Sequence, residues 1–250
     1  MKKYSVLLAA LFAAAAFSAP AQADKLRIAT EGAYAPFNYI DASGKPGGFD
    51  VDLALALCEK MQAECEIVTQ DWDGIIPGLQ ARRYDAISAS MSVTPDRQKV
   101  VAFTKPVYKN LLAFVAAKGK EFPVDKAGLK GKTLGAQRAT IAAQYLEDNL
   151  SDTVNVKLYS TQDSAYLDLA AGRLDGMVSD KFPAYGWLQT DAGKGFEFKG
   201  GDIDIDDRIG IALRKEDTEL LERFNQAIDE VLADGTYQKI NEKYFPFSIY

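Results

Sequence analysis

The stretch DGIIPGLQARRYDAISAS at residues 73–90 is matched without a gap by DSAYLDLAAGRLDGMVSD at residues 163–180. Both copies predict the end of a helix, a tight turn through Arg-x-Asp, and a short apolar strand that stops at polar residues. Each copy is half of a βαβ unit, so the pair predicts two similar α/β lobes. The alternative is that two ordinary helix–strand turns share a composition. The identical positions are Asp73/Asp163, Leu79/Leu169, Ala81/Ala171, Arg83/Arg173 and Asp85/Asp175.

The two copies end in different side chains, Ser90 and Asp180. In parallel α/β sheets, the polar residues at the carboxyl end of a strand line the crevice where ligands bind. A hydroxyl from one lobe and a carboxylate from the other would then face one cleft. This arrangement predicts a clamp for a small zwitterion.

Strands and helices alternate along most of the chain, which is α/β order. The predicted elements are a strand at 26–30, a helix at 49–61, a strand at 64–69, a helix at 72–81, a strand at 85–89, a helix at 95–100, a strand at 133–136, a helix at 141–150, a strand at 155–159, a helix at 161–171, a strand at 175–179 and a helix at 181–190.

Two further apolar runs predict where the chain passes between the lobes. Residues 111–116 (LLAFVA) suit a buried strand that leaves the first lobe, and residues 209–213 suit a return strand. Two crossing strands would form a hinge on which the lobes close. The alternative is a continuous second domain with its own C-terminal helices. The return strand is followed by an amphipathic helix, capped by Asp217 and ended by Gly235, and a short helix at 236–244.

The expected division is therefore a first lobe built from residues 24–110 and 208–250, and a second lobe built from residues 111–207. Residues 1–23 read as a signal peptide, with basic Lys2 and Lys3, an apolar run at 6–17 and a small-x-small site at 21–23. We expect cleavage after Ala23. The residue directly after that site is Asp24 and not a cysteine, so a protein without a lipid anchor, located in the periplasm, is predicted.

Composition excludes several classes of function. The chain has 29 basic and 35 acidic residues, and removal of Lys2 and Lys3 leaves 27 against 35, a formal charge of −8. That sign argues against nucleic acid as a partner. Histidine is absent, which removes the usual zinc sites and any Ser-His or Cys-His nucleophile. We expect a monomer that needs no metal and no cofactor and does not insert into a membrane.

Cys58 and Cys65 are the two cysteines of the chain, spaced C-x6-C. In an exported protein such a pair predicts a disulfide from the end of one helix to the next strand. The alternative, a redox or metal pair, favours a closer C-x-x-C spacing.

Arg97 is the strongest single candidate for contact with a ligand. Ser88, Ser90 and Ser92 precede it, Thr94 is suited to cap a helix, and Pro95 to begin that helix. Hydroxyl groups, a helix amino end and a guanidinium together favour a carboxylate. The alternative is a surface ion pair between Arg97 and an acid such as Asp96.

In the second lobe, Thr140 precedes the helix that begins near Ile141, and the backbone N–H groups there would take the same carboxylate. Thr140 as a plain N-cap is equally consistent. Asp180 follows an apolar strand, where a carboxylate needs a partner, and a ligand ammonium would supply one. A salt bridge to Lys181 or Lys105 is the alternative.

Glu31 and Tyr34 follow the strand at 26–30, Trp72 follows the strand at 64–69, and all three belong at the same rim. Tyr34 and Trp72 would sandwich an aliphatic or cationic side chain, with Glu31 as its counter-ion. The alternative is that the aromatic rings simply pack in the core.

Taken together, these residues resemble the periplasmic amino-acid-binding proteins of ABC importers, solute-binding protein family 3, over residues 24–250. The likeness is to the lysine/arginine/ornithine-, histidine-, arginine- and opine-binding branch. It is carried by ATEGAYAPF (29–37), GFDVDLALALC (48–58), WDGIIPGL (72–79), YDAISASMSVTPDR (84–97), LKGKTLG (129–135), AGRLDGMVSD (171–180) and ADGTYQKINEKYF (233–245).

The resemblance implies a two-lobed Venus-flytrap fold that captures a polar or cationic amino acid and delivers it to an inner-membrane permease. It implies that Arg97, Ser92 and the backbone near Thr140 hold the α-carboxylate, and that Asp180 and Ser90 hold the α-ammonium. Ala89 and Gln137 occupy site positions where members of the branch often carry other residues. The family also has a disulfide at the positions of Cys58 and Cys65.

The resemblance also implies three alternatives to amino-acid transport. The ligand would be an opine, or the protein would serve a membrane receptor as a sensory domain. The third is an enzyme similar to cyclohexadienyl dehydratase, which shares this fold and uses a carboxylic acid in the cleft. In that case Glu31 or Asp180 would need a raised pKa.

Overall fold

The protein, seen as a computed structural model, is described here for residues 25–250. The predicted signal peptide and its cleavage site lie outside the described residues. The strands are β1 Lys25–Thr30, β2 Ala33–Tyr34, β3 Asn38–Ile40, β4 Pro46–Gly47, β5 Glu64–Thr69, β6 Ala86–Ile87, β7 Ala102–Phe103, β8 Tyr108–Lys109, β9 Leu112–Ala117, β10 Thr133–Gln137, β11 Asn155–Tyr159, β12 Gly176–Asp180, β13 Phe196–Ile203, β14 Arg208–Ile209 and β15 Ala212–Leu213.

Helices cover the sheets that these strands form. They are α1 Phe49–Lys60, α2 Trp72–Gln80, α3 Pro95–Gln98, α4 Lys126–Leu129, α5 Ile141–Leu150, α6 Gln162–Ala170, α7 Lys181–Leu188, α8 Thr218–Ala233 and α9 Thr236–Tyr244.

Two five-stranded sheets of matching topology define two lobes. The first has the order β5-β1-β6-β15-β7 and the second has the order β11-β10-β12-β9-β13. In each sheet the first three strands are parallel and the fourth runs antiparallel to both of its neighbours. The α/β, two-lobed fold predicted from the sequence is confirmed.

The repeat predicted from the sequence has the same backbone geometry in both lobes. Arg82 and Gly172 occupy the left-handed region at matching positions, with φ of 57° and 70°. The side chain of Asp85 accepts a hydrogen bond from the backbone N–H of Arg27 at 2.9 Å, and Asp175 accepts one from Thr133 at 2.8 Å. The repeated aspartates therefore tie each turn to the first strand of its own sheet.

The chain crosses between the sheets at β8 and β14, which pair antiparallel through Lys109 with Arg208 and Tyr108 with Ile209. Of the two runs predicted to cross, 209–213 begins within β14 at Ile209, whereas 111–116 begins after β8 has ended. The apolar run in β9 is a central strand, buried between β12 and β13, and β15 lies within the first sheet. The limits given above for the lobes stay predictions.

Several elements are shorter than, or absent from, the sequence-based assignment. Strands β2, β3 and β4 form a small antiparallel sheet after β1, and their two or three residues are too few to show a period. The helix expected at 95–100 is the four-residue α3. Strand β13 carries a register shift near Gly200 and Gly201, which hid it from a search for regular alternation.

The first lobe is closed by α8 and α9, which pack on α1. Phe224, Ile228 and Val231 of α8 are buried, as their helical spacing predicts. Cys58 at the end of α1 forms a disulfide with Cys65 in β5, as expected from the sequence. Between residues 25 and 250, no helix is both long enough and apolar enough to cross a membrane.

Candidate ligand-binding site

A small cavity lies between the two lobes, and it brings together all ten side chains singled out from the sequence as ligand-binding candidates. The repeat tips Ser90 and Asp180 are both in its wall, so the two copies do face one cleft. Ile141 is an additional wall residue. The lining residues are Glu31, Tyr34, Trp72, Ala89, Ser90, Ser92, Arg97, Gln137, Thr140, Ile141 and Asp180.

Asp180 is a buried carboxylate whose two oxygens differ. Tyr34 donates its hydroxyl to Oδ2 at 2.7 Å, whereas Oδ1 is buried and no donor among the described residues reaches it with hydrogen-bond geometry. The Asn110 amide donates to Asp207 at 2.8 Å and is near enough to Asp180 to lower its pKa in part. Burial, followed by the nearby Asp207 carboxylate, raises the pKa of Asp180 to about 6. A buried carboxylate oxygen without a donor is costly, and a ligand ammonium would satisfy it.

The lysines considered as partners of Asp180 are paired elsewhere. Lys181 forms an ion pair with Asp202, and Lys105 forms one with Asp229. The alternative in which a surface lysine neutralises Asp180 is therefore not observed.

Glu31 follows β1 and reaches across the cleft to Gln137 at the end of β10. The Gln137 amide donates to Oε1 of Glu31 at 2.6 Å and to the Ser160 carbonyl at 3.2 Å. Burial raises the pKa of Glu31 to about 7, and the charges of nearby Asp163, Asp71 and Asp73 add to that rise. This corner of the cavity is electronegative, so it favours a cationic group.

Arg97 is held in place by contacts on both sides of the cleft. Its guanidinium donates to the carbonyl of Ser92 and, in the other lobe, to the carbonyl of Ala139, each at 2.8 Å. It also lies over the ring of Trp72, 5.3 Å from the centroid. Asp96 pairs instead with Lys99, so the predicted alternative, an Arg97–Asp96 pair, is not observed.

The capping residues behave as their sequence context predicts. Thr94 accepts from the N–H of Arg97 and caps α3, and Thr140 accepts from the N–H of Ala143 and caps α5. The first N–H groups of a helix have no carbonyl partner within it, and those of α5 begin at the cavity wall beside Ile141. They are well placed to meet an anion.

Trp72 contacts the other lobe as well as Arg97. Its indole N–H donates to the carbonyl of Ala139 at 3.2 Å. Ala139 has a φ of 57°, a left-handed conformation that is unusual for alanine and is typical of functional loops. In this conformation the Ala139 carbonyl accepts hydrogen bonds from both Trp72 and Arg97.

Two buried carboxylates behind the wall were missed by sequence reasoning. Asp50 accepts from Ser90 Oγ at 2.9 Å, and Asp207 accepts from Ser92 Oγ at 2.9 Å and from the Asn110 amide at 2.8 Å. Because Ser92 donates to Asp207, its hydroxyl would have to turn before it could donate to a ligand carboxylate.

One of these two acids could have been recognised from the sequence. Asp50 stands three, four and seven residues before Leu53, Ala54 and Leu57, and all four positions belong to the buried stripe of α1. An acid on a buried stripe signals a polar network. Asp207 ends an acidic run, 202–207, that reads as solvated surface, and only the return of the chain between the lobes buries it.

The described residues offer donors and acceptors for a small polar molecule. Residues 25–250 contain no group of three or more His, Cys, Asp or Glu side chains placed to hold a metal ion. The cavity combines a guanidinium, a buried and a half-buried acid, and two aromatic rings, which suits a ligand with charges of both signs.

Comparison with known proteins supports this description. The sequence matches the family described as bacterial extracellular solute-binding proteins, family 3, over residues 26–247. It is 41% identical to the L-arginine-binding protein of Pseudomonas aeruginosa, over 100% of this chain and 99% of the relative. It is 40% identical to the lysine/arginine/ornithine-binding periplasmic protein of Escherichia coli, again over 100% and 99%.

Solved structures give the same result. An ancestral arginine-binding protein bound to arginine superposes with a TM-score of 0.84 at 36% identity, covering 88% of this chain and 98% of that one. An ancestral amino acid-binding protein, described as a precursor of cyclohexadienyl dehydratase, superposes with a TM-score of 0.80 at 30% identity, covering 88% and 95%.

Proposed function

The chain belongs to the bacterial extracellular solute-binding proteins, family 3, and from that premise we propose that it captures a basic amino acid in the periplasm for an ABC importer. The observation that carries this proposal is the buried Oδ1 of Asp180, which has no donor among residues 25–250 and shares its cavity with the guanidinium of Arg97. A zwitterion supplies the missing donor and an anion for Arg97.

The α-carboxylate of the ligand would bind Arg97 and the first N–H groups of α5 beside Thr140. Arginine forms strong, charge-assisted hydrogen bonds with carboxylates, and a helix amino end favours an anion. The α-ammonium would bind Asp180 and the hydroxyl of Ser90. Ala89 would form part of the wall between these contacts.

The side chain of the ligand would extend between Tyr34 and Trp72 towards Glu31. Glu31 lies near Asp163, Asp71 and Asp73, so a positive charge at this point is attracted to several acids and not to Glu31 alone. Arginine, lysine and ornithine carry such a charge, and the relatives named for arginine favour arginine as the first ligand to test.

Binding would be coupled to closure of the lobes on the β8–β14 crossing. Contacts already span the cleft, since Tyr34 binds Asp180 and Arg138 binds Asp73 through Nε at 2.9 Å. A ligand that bridges the same walls would favour the closed form, because a ligand shifts a conformational equilibrium by its differential affinity for the two states. The closed monomer, freed of its signal peptide after Ala23, would then dock on the permease.

The decisive experiment is a thermal-shift panel of the twenty amino acids plus ornithine, citrulline, octopine and nopaline, followed by calorimetric titration. We expect arginine to give the largest shift and a Kd near ~1 μM, which is about −8 kcal/mol. If glutamate or an aliphatic amino acid gave the largest thermal shift, the proposed role of Glu31 would be overturned. If octopine or nopaline gave the largest shift, opine binding would be favoured.

We propose a binding role without catalysis, although the raised pKa of Glu31 is also what a general acid requires. Incubation with prephenate or arogenate tests the dehydratase alternative directly, and aromatic product detected by absorbance would support it. Deletion of the gene followed by uptake and chemotaxis assays separates a transport role from a sensory one.

A further inference from the structure

We propose that Asp50 is a positioning residue for ligand binding. Its carboxylate accepts a hydrogen bond from the Ser90 hydroxyl, so the oxygen of Ser90 is left as an acceptor for the α-ammonium of the ligand. Asp50 is not among the residues that line the cavity, and it would act only through Ser90. The inference deepens the proposed function and rests on it.

Asp50 lies in the first turn of α1 and is 2% exposed. A buried carboxylate is costly unless hydrogen bonds satisfy it, and this one receives three. Asn38 donates to Oδ2 at 3.0 Å, Ser90 donates to Oδ2 at 2.9 Å, and the hydroxyl of Tyr108 donates to Oδ1 at 3.1 Å. The network is complete, so Asp50 itself needs no ligand.

The partners of Asp50 come from three separate segments around the cavity. Asn38 also accepts from the N–H of Gly32, the residue after Glu31. Tyr108 belongs to the crossing strand β8. Ser88 donates its hydroxyl to the backbone carbonyl of Asp50 at 3.0 Å. A single buried acid therefore connects the Glu31 loop, the serine segment and one strand of the crossing.

The direction of the hydrogen bonds determines what Ser90 presents to the cavity. An ionised carboxylate only accepts, so the proton of Ser90 Oγ points to Asp50. The Tyr108 hydroxyl also lies 2.8 Å from Ser90 Oγ, and because its one proton is shared with Oδ1 of Asp50, it occupies at most one of the two lone pairs of Ser90. The remaining lone pair is an acceptor. Ser90 and Asp180 Oδ1 then offer acceptors to the same cavity, which suits an ammonium.

The backbone of Ser90 is held in an uncommon conformation. Ser90 has a φ of 50°, a left-handed conformation that is rare for serine and persists only where the surroundings determine it. The bonds from Ser90 to Asp50 and from Tyr108 to Ser90 are the contacts that hold the side chain there. Without the carboxylate, the hydroxyl could rotate and direct its proton at the ammonium.

The test is a double-mutant cycle of Asp50→Ala and Ser90→Ala, read as the Kd for L-arginine by calorimetry. We expect each single variant to weaken binding about tenfold, the loss typical of one hydrogen bond to a charged group, and the double variant to lose no more than about tenfold. Losses that multiply to about a hundredfold would show a general structural role and overturn the proposal, as would unchanged affinity in Asp50→Ala.

Asp52→Ala is the matched control, because Asp52 lies on the same helix and accepts from Lys243 and Tyr244 at the surface. We expect its Kd for arginine to stay within about twofold of the wild type, since it contacts no residue of the cavity wall. Wild type and Asp52→Ala both failing to bind any amino acid would overturn the proposed function itself. Wild-type binding combined with independent losses overturns only the role of Asp50.

Asp50→Asn separates hydrogen bonding from charge. Its amide oxygen can take the place of Oδ2 and its NH₂ can donate to Tyr108, so the orientation of Ser90 is kept and affinity should stay within about threefold. A loss as large as that of Asp50→Ala would assign the effect to charge and contradict the proposal. If Asp50→Ala does not fold, Asp50→Ser replaces it in the cycle, since serine is too short to reach Ser90.

Discussion

The two copies of the repeat, residues 73–90 and 163–180, share their turn hydrogen bonds and differ at their tips. The first copy ends at Ser90, whose hydroxyl donates to Asp50 and lies within hydrogen-bond distance of Tyr108. The second ends at Asp180, where one carboxylate oxygen has no donor among residues 25–250. The shared part of each copy stabilises its lobe, whereas the differing tips are where a ligand would bind.

The largest expected effect comes from removing the charge of Asp180, the tip of the second copy. Asp180→Asn should weaken arginine binding at least about 100-fold, because loss of one partner from a buried charge pair costs about 3 kcal/mol. Ser90→Ala, at the matching position of the first copy, should cost only about tenfold. Calorimetric titration of both variants tests this order.

In the absence of ligand, Asp180→Asn should raise the melting temperature or leave it unchanged. Asp180→Asn removes a buried charge that is only partly hydrogen-bonded. A lower melting temperature in the absence of arginine would mean that Asp180 is a structural residue. Equal binding losses in Asp180→Asn and Ser90→Ala would remove the asymmetry between the two tips.

The tips should also differ in their response to pH, since Asp180 titrates itself, whereas Ser90 responds only through Asp50, whose pKa burial raises to about 6. In the free protein the pKa of Glu31 is about 7 and that of Asp180 is about 6, both raised chiefly by burial. A bound cation stabilises each carboxylate and lowers both pKa values in the complex. Affinity for arginine is therefore complete only well above pH 7, where Glu31 is fully ionised, and is lost as the pH falls through the pKa values of the free protein.

The expected loss is about tenfold per pH unit at most between pH 7 and 6, and steeper below pH 6, where both acids take up protons. Arginine titrations between pH 5 and 8 measure it, and proton release near pH 7 can be followed by calorimetry in buffers of different ionisation enthalpy. Glu31→Gln should remove the upper part of the dependence. An affinity that rises on acidification would contradict the assignment of both acids.

Much of this asymmetry could be predicted from the sequence, because it depends on short-range patterns. The Arg-x-Asp turns, the helix caps Thr94 and Thr140, and the polar tips are all local features, and the structure shows them where they were expected. The crossing was misplaced because the most apolar run, in β9, is the centre of a sheet. Asp207 was missed because long-range packing alone buries it.

A smaller difference is expected between the repeated aspartates of the turns. Asp85 accepts from the N–H of Arg27 and also from the buried Arg214 at 3.2 Å, whereas Asp175 is tied to the N–H of Thr133. Asp85→Asn should therefore lower the free energy of unfolding by about 2 kcal/mol and Asp175→Asn by about 1 kcal/mol. Urea denaturation of both variants measures these two changes in the free energy of unfolding. Equal changes would show that Arg214 adds no stability to the first turn.

The smallest expected effect concerns the left-handed residue of the two turns. The second copy has Gly172 there and the first has Arg82, at a φ where a side chain is unfavourable by about 1 kcal/mol. Arg82→Gly should raise the free energy of unfolding by about 0.5 kcal/mol, since greater freedom of the unfolded chain offsets part of the relief. The lost Arg82–Glu216 pair is exposed and contributes little. Gly172→Arg is the reverse control and should destabilise by about 1 kcal/mol; stabilisation by that change would contradict the equivalence of the two turns.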